Sequence, residues 1–293
     1  MIVRRLSVDL EGATVSVAEW TAPQPNAPTV LLLHGGGTDS AELSWGDLGP
    51  ALASAGYRVL APDHPGFGRS AKATWPLTQQ ALLDYVGELV DRLELDDYVV
   101  GGLSLGGGLA IGHALERPGR ARALILLGSF GIMPRLSDGP LSSLGHYSTY
   151  LLLRSGLLAA ITRSYAKNPA AIERGLRSIV RNESSRTPAL VRAVTDEASS
   201  GTALEVFGEW QREQVLPLGL RTDYTDRLGE ISVPALLVHG DRDSGVAIAR
   251  ARAAADLLPL GRLVEVPGAG HWVQRDRPDV VTAAILDFLE SSI

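Results

Sequence analysis

The stretch DYVVGGLSLGGGLAIGHALE, residues 97–116, decides the fold of this 293-residue chain. It starts as a short apolar run of strand type, turns at GLSLG (102–106), and continues with a pattern typical of a helix. The five-residue pattern alone is weak evidence, because glycine occupies 32 of the 293 positions. A serine on a tight strand-to-helix turn, however, needs small residues two before and two after it, since Cβ atoms there would collide with the strand and the helix. Gly102 and Gly106 meet this need, and we predict that Ser104 is a nucleophile.

Further short apolar runs, separated by helical stretches, lie on both sides of this turn. They are TVLLLH (29–34), YRVLAP (57–62), RALILLGS (122–129), PALLVHG (234–240) and GRLVEVPG (261–268). Continuous apolar strands that alternate with helices are typical of a parallel sheet covered on both faces. The predicted fold class is therefore α/β, and the alternating pattern of the first twenty residues predicts an additional hairpin.

About a hundred residues separate the run that ends near Ser129 from the run that starts at Pro234, and no convincing strand lies between them. This distance is far too long for a simple crossover connection. Helix-like apolar spacing is found in 146–166, 170–182, 188–200 and 203–216. We therefore expect a helical cap at 131–230, inserted between two parts of an α/β core at 1–130 and 231–293.

A serine hydroxyl is a poor nucleophile at neutral pH and needs a general base beside it. Among the six histidines, His271 is the candidate base, because it lies in the glycine-containing loop VPGAGHWVQ (266–274) after the last strand. His34 and His239 each end a strand before a glycine, where a histidine usually braces loops through hydrogen bonds. For His64, His113 and His146 we expect packing or loop roles.

The acid that orients the base should follow another strand, at the edge where open α/β sheets build their sites. The segment VPALLVHGDRDSGVA (233–247) offers Asp241 and Asp243 there. We favour Asp243, because Asp241 directly follows Gly240 and is well placed to cap the turn itself. The choice between the two carboxylates stays open at this point.

The oxyanion formed by attack on a carbonyl requires N–H donors that are already in place. The amide of Leu105 is one expected donor, because it directly follows the nucleophile on the turn. The second is expected in LLLHGGGTDS (31–40), where we choose Gly36. A phosphate-binding loop is the alternative, but LHGGGT matches neither G-x-G-x-x-G nor a P-loop with its lysine.

Composition limits the class of partner and the compartment. The formal net charge is −6 and no basic block accompanies it, so we expect neither nucleic acid nor membrane as a partner, but a small molecule. Cysteine is absent, which excludes disulfides and thiolate metal sites, and no metal site is predicted. The N-terminus lacks the apolar stretch of a signal peptide, and the apolar window 150–161 is too short to span a bilayer, so we expect a cytoplasmic protein.

Together, the order Ser104, Asp243, His271 and the motifs HGGG, DHPGFGRS, GLSLG, GDRD and GAGHW resemble the α/β-hydrolase superfamily, in its branch with a helical cap. The resemblance covers essentially the whole chain. It implies an eight-stranded, mostly parallel sheet, no cofactor, an acyl-enzyme mechanism, and the second oxyanion amide at Gly36. Oligomeric state is left open.

The leading functional prediction is hydrolysis of a carboxylic ester. The alternative is C–C cleavage, because HGGG and GHWVQ resemble meta-cleavage product hydrolases. Those enzymes usually carry Asn before the nucleophile and Pro-Gly after HGGG, where this chain has Leu103 and Thr38-Asp39. GHWVQRDRP also resembles epoxide hydrolases and dehalogenases, but these attack with aspartate. A ligand receptor on the same fold is the non-enzymatic alternative.

The substrate pocket is expected to be lined by apolar side chains from the cap and from the loops around the turn. The candidates are Phe130, Met133, Leu144, Tyr147, Trp210, Val246 and Trp272. Trp272 has the best claim, because it directly follows the predicted base.

Overall fold

The computed structural model describes residues 3–24, 26–200 and 202–292, so that residues 1, 2, 25, 201 and 293 lie outside the description. An eight-stranded sheet runs through the molecule in the order β1-β2-β4-β3-β5-β6-β7-β8. Its strands are β1 (Arg4–Leu10), β2 (Ala13–Trp20), β3 (Thr29–Leu33), β4 (Arg58–Pro62), β5 (Tyr98–Leu103), β6 (Ala121–Leu127), β7 (Ala235–Gly240) and β8 (Gly261–Val266). The predicted hairpin and eight-stranded sheet are confirmed, since β2 pairs antiparallel with β1 and β4 and the other pairs are parallel.

Helices cover both faces of this sheet. The core helices are α1 (Ala41–Trp45), α2 (Leu48–Ser54), α3 (Gln79–Arg92), α4 (Leu105–Glu116), α10 (Ile248–Leu257), α11 (Val273–Asp276) and α12 (Pro278–Ser292). One apolar core includes residues of α3, α4 and α10, and a second includes residues of α1, α2 and α12. Every residue of the central strand β5 is buried, because both of its faces are covered.

A helical insertion separates β6 from β7. It contains α5 (Ser142–Arg154), α6 (Leu157–Ala166), α7 (Pro169–Ile179), α8 (Pro188–Ser200), α9 (Thr202–Gln214) and a 3-10 turn (Thr225–Glu230). The helical pattern at 146–166 forms two helices rather than one, because the chain breaks at Ser155 and Gly156, with Gly156 in the left-handed conformation at φ 74°. None of the helices within the described ranges is long and apolar enough to cross a membrane.

The turn between β5 and α4 is built as the sequence predicts. A Cβ atom on Gly102 would lie 2.1 Å from the carbonyl carbon of Gly106, and one on Gly106 would lie 2.1 Å from the carbonyl oxygen of Leu33. Ser104 itself has φ 51° and ψ −115°, a backbone conformation that residues with a Cβ atom rarely adopt. The backbone is therefore strained at the predicted nucleophile, and close approach of glycine backbones allows the strain to persist.

This strain predicts that Ser104→Gly is more stable than Ser104→Ala by about 1 kcal/mol, because only glycine adopts this φ without steric cost. Urea unfolding of the two variants measures the difference. Ser148, in the interior of α5, is the matched control, because the Ser148→Gly variant should be less stable than the Ser148→Ala variant. If Ser104→Gly also proved less stable than Ser104→Ala, the backbone at position 104 would not be strained.

Candidate active site

Ser104 precedes the first residue of α4 and is partly exposed. Its backbone is tied to the end of β6, since its N–H donates to the carbonyl of Leu127 at 2.9 Å and its own carbonyl accepts the N–H of Phe130 at 2.9 Å. The first amides of a helix have no acceptor within the helix, so the N–H of Leu105 is free to serve another acceptor. The predicted nucleophile and the first predicted oxyanion donor thus occupy adjacent positions on one fixed turn.

His271 and Asp243 form a hydrogen-bonded pair. The imidazole Nδ1 lies 2.9 Å from Oδ2 and 3.0 Å from Oδ1 of Asp243. The carboxylate side chain is 0% exposed, and that of His271 is 13% exposed. Because a carboxylate only accepts, Nδ1 of His271 carries the proton, and Nε2 is left as the basic nitrogen.

Four donors surround the Asp243 carboxylate. In addition to His271, the backbone N–H groups of Gly245 and Val246 donate to Oδ1 at 2.6 and 2.9 Å, and Nε2 of His239 lies 3.2 Å from Oδ2. Burial alone would raise the pKa of Asp243, but hydrogen bonds from His239 and His271 outweigh it and hold the pKa below its usual value. Asp243 therefore stays ionised beside the base.

His239 contributes more than the bracing role that its sequence position predicts. Its Nε2 also lies 2.8 Å from the carbonyl oxygen of Val246, so this nitrogen faces two acceptors and must carry a proton. His239 thereby fixes both the acid and the loop that follows it. In the sequence, the spacing of four residues between His239 and Asp243 is the feature that could have indicated this contact.

Asp241 does not reach the base. It is exposed, and its Oδ1 accepts the backbone N–H of Gly268 at 2.6 Å, which ties two surface loops together. This is a turn-capping contact of the kind that its sequence position indicates. Of the two carboxylates, the structure brings Asp243 to His271.

The loop after β6 connects Ser104 to this pair. A Cβ atom on Gly128 would lie 3.1 Å from both Asp243 Oδ2 and His271 Nδ1, and Gly128 directly follows Leu127, which holds the Ser104 backbone. Among the described residues, no hydrogen bond joins Ser104 Oγ to His271. A nucleophile and its base often close to hydrogen-bond distance only when substrate is bound.

The predicted oxyanion loop is held from two sides at Gly35. Its N–H donates to Asp39 Oδ2 at 2.7 Å, and its carbonyl oxygen lies 2.7 Å from Nδ1 of His34. Nε2 of His34 accepts the backbone N–H of His64, so Nδ1 carries the proton and donates to Gly35. Burial lowers the pKa of His34 to about 3, which keeps the ring neutral. The Gly35 carbonyl shares a peptide unit with the Gly36 N–H, and this unit is therefore fixed in orientation.

Asp39 anchors the far end of the same loop. Besides Gly35, it accepts the N–H of Ser40 at 2.8 Å and the hydroxyl of Ser44 at 2.7 Å. Its side chain is fully buried, and this burial raises the pKa of Asp39 to about 7, although its hydrogen bonds act in the opposite direction. Sequence reasoning assigned Asp39 no role beyond its departure from the Pro-Gly pattern.

A cavity of about 960 Å³ lies between the core and the helical insertion. Gly36, His271 and Trp272 line it from the core, and residues of α6 and α9 line it from the insertion. Ser104 and Leu105 do not contribute to its lining. Phe207 of α9 covers the oxyanion loop, because a Cβ atom on Gly36 would lie 2.2 Å from its ring.

Of the seven predicted pocket residues, Trp272 lines this cavity, and the other six are not among its lining residues. Phe130, Met133, Trp210 and Val246 are buried in the apolar core that contains α3 and α4. Leu144 and Tyr147 lie on the outer surface of α5, 64% and 45% exposed. The cavity wall is formed instead by side chains on the inner faces of α6 and α9, among them Leu158, Thr162, Leu204 and Phe207.

The two carboxylates of the GDRD loop give a matched pair of variants. Asp243→Asn should lower kcat roughly 10³- to 10⁴-fold, because an amide can present its N–H to the imidazole and favour the wrong tautomer. Asp241→Asn should retain nearly full activity, because its contact lies at the surface. Steady-state kinetics on an ester substrate measures both, and a larger loss in Asp241→Asn would reverse the assignment.

The comparisons with known proteins agree with this geometry. Residues 28–278 match the family model described as alpha/beta hydrolase fold. The chain is 29% identical over 265 residues to 2-hydroxy-6-oxo-6-(2'-aminophenyl)hexa-2,4-dienoic acid hydrolase of Metapseudomonas resinovorans, covering 89% of this chain and 83% of that protein. It is 30% identical to Epoxide hydrolase A of Mycobacterium tuberculosis, with 96% of each covered. The meta-cleavage product hydrolase from Pseudomonas fluorescens IP01 superposes with a TM-score of 0.80 at 21% identity, over 98% of both chains. The chain therefore belongs to the α/β-hydrolase fold family.

Proposed function

We propose that this hydrolase cleaves carboxylic esters of small apolar molecules through an acyl-enzyme on Ser104. The observation that carries the proposal is the buried, ionised Asp243 paired with His271, at the sheet edge where the turn presents Ser104. This is the set of groups that nucleophilic catalysis by serine requires: a nucleophile, a base and a group that orients the base.

The reaction proceeds in two steps. His271 Nε2 takes the proton of Ser104 Oγ as the oxygen attacks the ester carbonyl, and the N–H groups of Leu105 and Gly36 stabilise the oxyanion. The tetrahedral intermediate collapses, and the C–O bond to the alcohol breaks as His271 returns the proton to the leaving oxygen. Water, deprotonated by the same base, then attacks the acyl-enzyme and releases the acid and Ser104.

The cavity favours an apolar substrate. Leu153, Leu158 and Leu204 line it from the insertion, and Trp272 lines it beside His271. Apolar walls with a few polar groups near the reacting centre are typical of small-molecule sites. Aliphatic or aromatic acyl groups would pack against these side chains, which share the cavity lining with five charged residues, Arg163, Lys167, Glu205, Glu209 and Arg212.

C–C bond cleavage of meta-cleavage type is the second candidate, and two observations favour it. The Metapseudomonas resinovorans relative acts on a dienoic acid, as its name states. Arg163 and Lys167 also line the cavity, where a cation can bind a substrate carboxylate. The ester proposal is preferred because Leu103, which precedes the nucleophile, is fully buried and apolar where the C–C hydrolases usually carry Asn.

Two other functions, epoxide hydrolysis and ligand binding without catalysis, have less support. The turn carries serine, and the epoxide hydrolases that the sequence resembles attack with aspartate. Burying the charged Asp243 carboxylate costs desolvation free energy. A protein that only binds ligands has no need of such a carboxylate hydrogen-bonded to His271.

A substrate panel tests the proposal. p-Nitrophenyl esters of increasing acyl length and a dienone of meta-cleavage type are compared on the wild type, Ser104→Ala and Ser129→Ala. We expect ester turnover with a loss of roughly 10⁴-fold or more in Ser104→Ala. Ser129 is a buried serine near the turn that hydrogen-bonds only locally, and its alanine variant should stay active. Dienone turnover that far exceeds ester turnover would favour the second candidate, and an active Ser104→Ala would overturn the mechanism.

A further inference from the structure

A buried carboxylate that takes no part in the proposed reaction steps lies close to the candidate base. Asp276 is the last residue of α11 and is 0% exposed. Its Oδ2 accepts the backbone N–H groups of Gly270 and Arg181 at 2.6 and 2.7 Å. Its Oδ1 accepts the backbone N–H of Asn182 at 2.6 Å. One side chain thus holds an amide directly before His271 and two amides of the helical insertion.

The loop that carries His271 is held on both sides of this residue. Before it, Gly270 is bound by the buried carboxylate. After it, the N–H of Trp272 donates to the carbonyl oxygen of Ile179 in the insertion at 2.9 Å. A Cβ atom on Gly270 would lie 2.5 Å from that same carbonyl oxygen, so the two backbones are in direct contact. The position of the candidate base is therefore set jointly by the core and by insertion residues 179–182.

The short helix α11 fixes Asp276 relative to the core. The N–H of Asp276 donates to the carbonyl of Trp272 at 2.8 Å, which folds the chain back toward the base loop. The guanidinium of the preceding residue, Arg275, donates to the carbonyl oxygens of Glu42 and Leu43 in α1 at 2.7 and 2.5 Å. The carboxylate is thus presented from a turn that the core itself holds in place.

We propose that Asp276 is a positioning residue, which holds the His271 loop where proton transfer requires it and couples that loop to the insertion. The inference rests on the proposed function, in which His271 serves Ser104 as the base. A misplacement of about 1 Å at a reacting group can lower the rate roughly 10²-fold. Asp243 orients the imidazole ring through Nδ1, whereas Asp276 acts only on the backbone beside it.

Asp276→Asn tests this role with little change in size. Three N–H donors face the two carboxylate oxygens, so either orientation of the asparagine amide sets a donor against a donor. The unpaired groups also destabilise the fold. The matched control is therefore Leu89→Ala, which removes a fully buried side chain of α3 from the apolar core on the other face of the sheet. Urea unfolding of both variants measures the loss of stability that they share.

Steady-state kinetics separates positioning from stability. We expect Asp276→Asn to lower kcat roughly 10²-fold with a much smaller change in KM, and Leu89→Ala to keep the wild-type kcat. In the His271→Ala background, Asp276→Asn should cost at most about twofold, because the group that it positions is absent. An equal loss in both backgrounds would overturn the proposal.

Amide hydrogen exchange followed by mass spectrometry gives a readout that does not depend on catalysis. In Asp276→Asn, peptides covering 179–182 and 268–273 should exchange faster than in the wild type, while β5 stays protected. Leu89→Ala should leave the exchange of 179–182 and 268–273 unchanged. Wild-type exchange of 268–273 in Asp276→Asn would contradict the proposal.

The outcome for Asp276 is distinguishable from the outcome for the ester proposal. If the wild type hydrolyses the dienone and no ester, the ester proposal fails. The same kinetic comparison on the dienone then decides the role of Asp276, since a base beside Ser104 must be positioned for either bond.

Discussion

The turn at Ser104 requires two backbone segments to approach more closely than any side chain would allow. At Gly102 and Gly106 there is no room even for a Cβ atom, and Ser104 between them is held at positive φ. Hydrogen bonds to Leu127 and from Phe130 lock the turn onto β6. The strained geometry is thus maintained by the rest of the sheet, and it brings one serine to the carboxyl edge where the loops of β3, β6, β7 and β8 meet.

Electrostatics around this edge follow from burial and its compensation. Asp243 is removed from water yet remains ionised, because four donors replace the lost hydration. Neutral His34 and His64 lie behind the Gly35 peptide, where Tyr85 completes the network through a 2.6 Å hydrogen bond to His64. The site therefore has a fixed charge at the acid and fixed dipoles at the predicted oxyanion loop, which is the preorganisation that acyl transfer needs.

The sequence predicts the features that depend on local backbone chemistry. The glycines around Ser104, the apolar strands and the turn-capping role of Asp241 all follow from steric limits or from hydrogen bonds between near neighbours. The side chains that line a cavity are harder to predict from the sequence, because the inward or outward orientation of a helix face depends on packing between distant elements. Tyr147 of α5 faces outward, and Trp210 of α9 packs against Phe130 in the core rather than lining the cavity. His239 and Asp39 were underestimated for the same reason, since their contacts form only when loops close over them.

The most direct test of the central claim, that Ser104 is the nucleophile of an acyl-transfer site, is covalent labelling with phenylmethylsulfonyl fluoride followed by peptide mass spectrometry. The geometry predicts a single adduct on Ser104 and loss of activity in proportion to labelling. An adduct on a different serine, or inactivation that leaves Ser104 unmodified, would contradict the account.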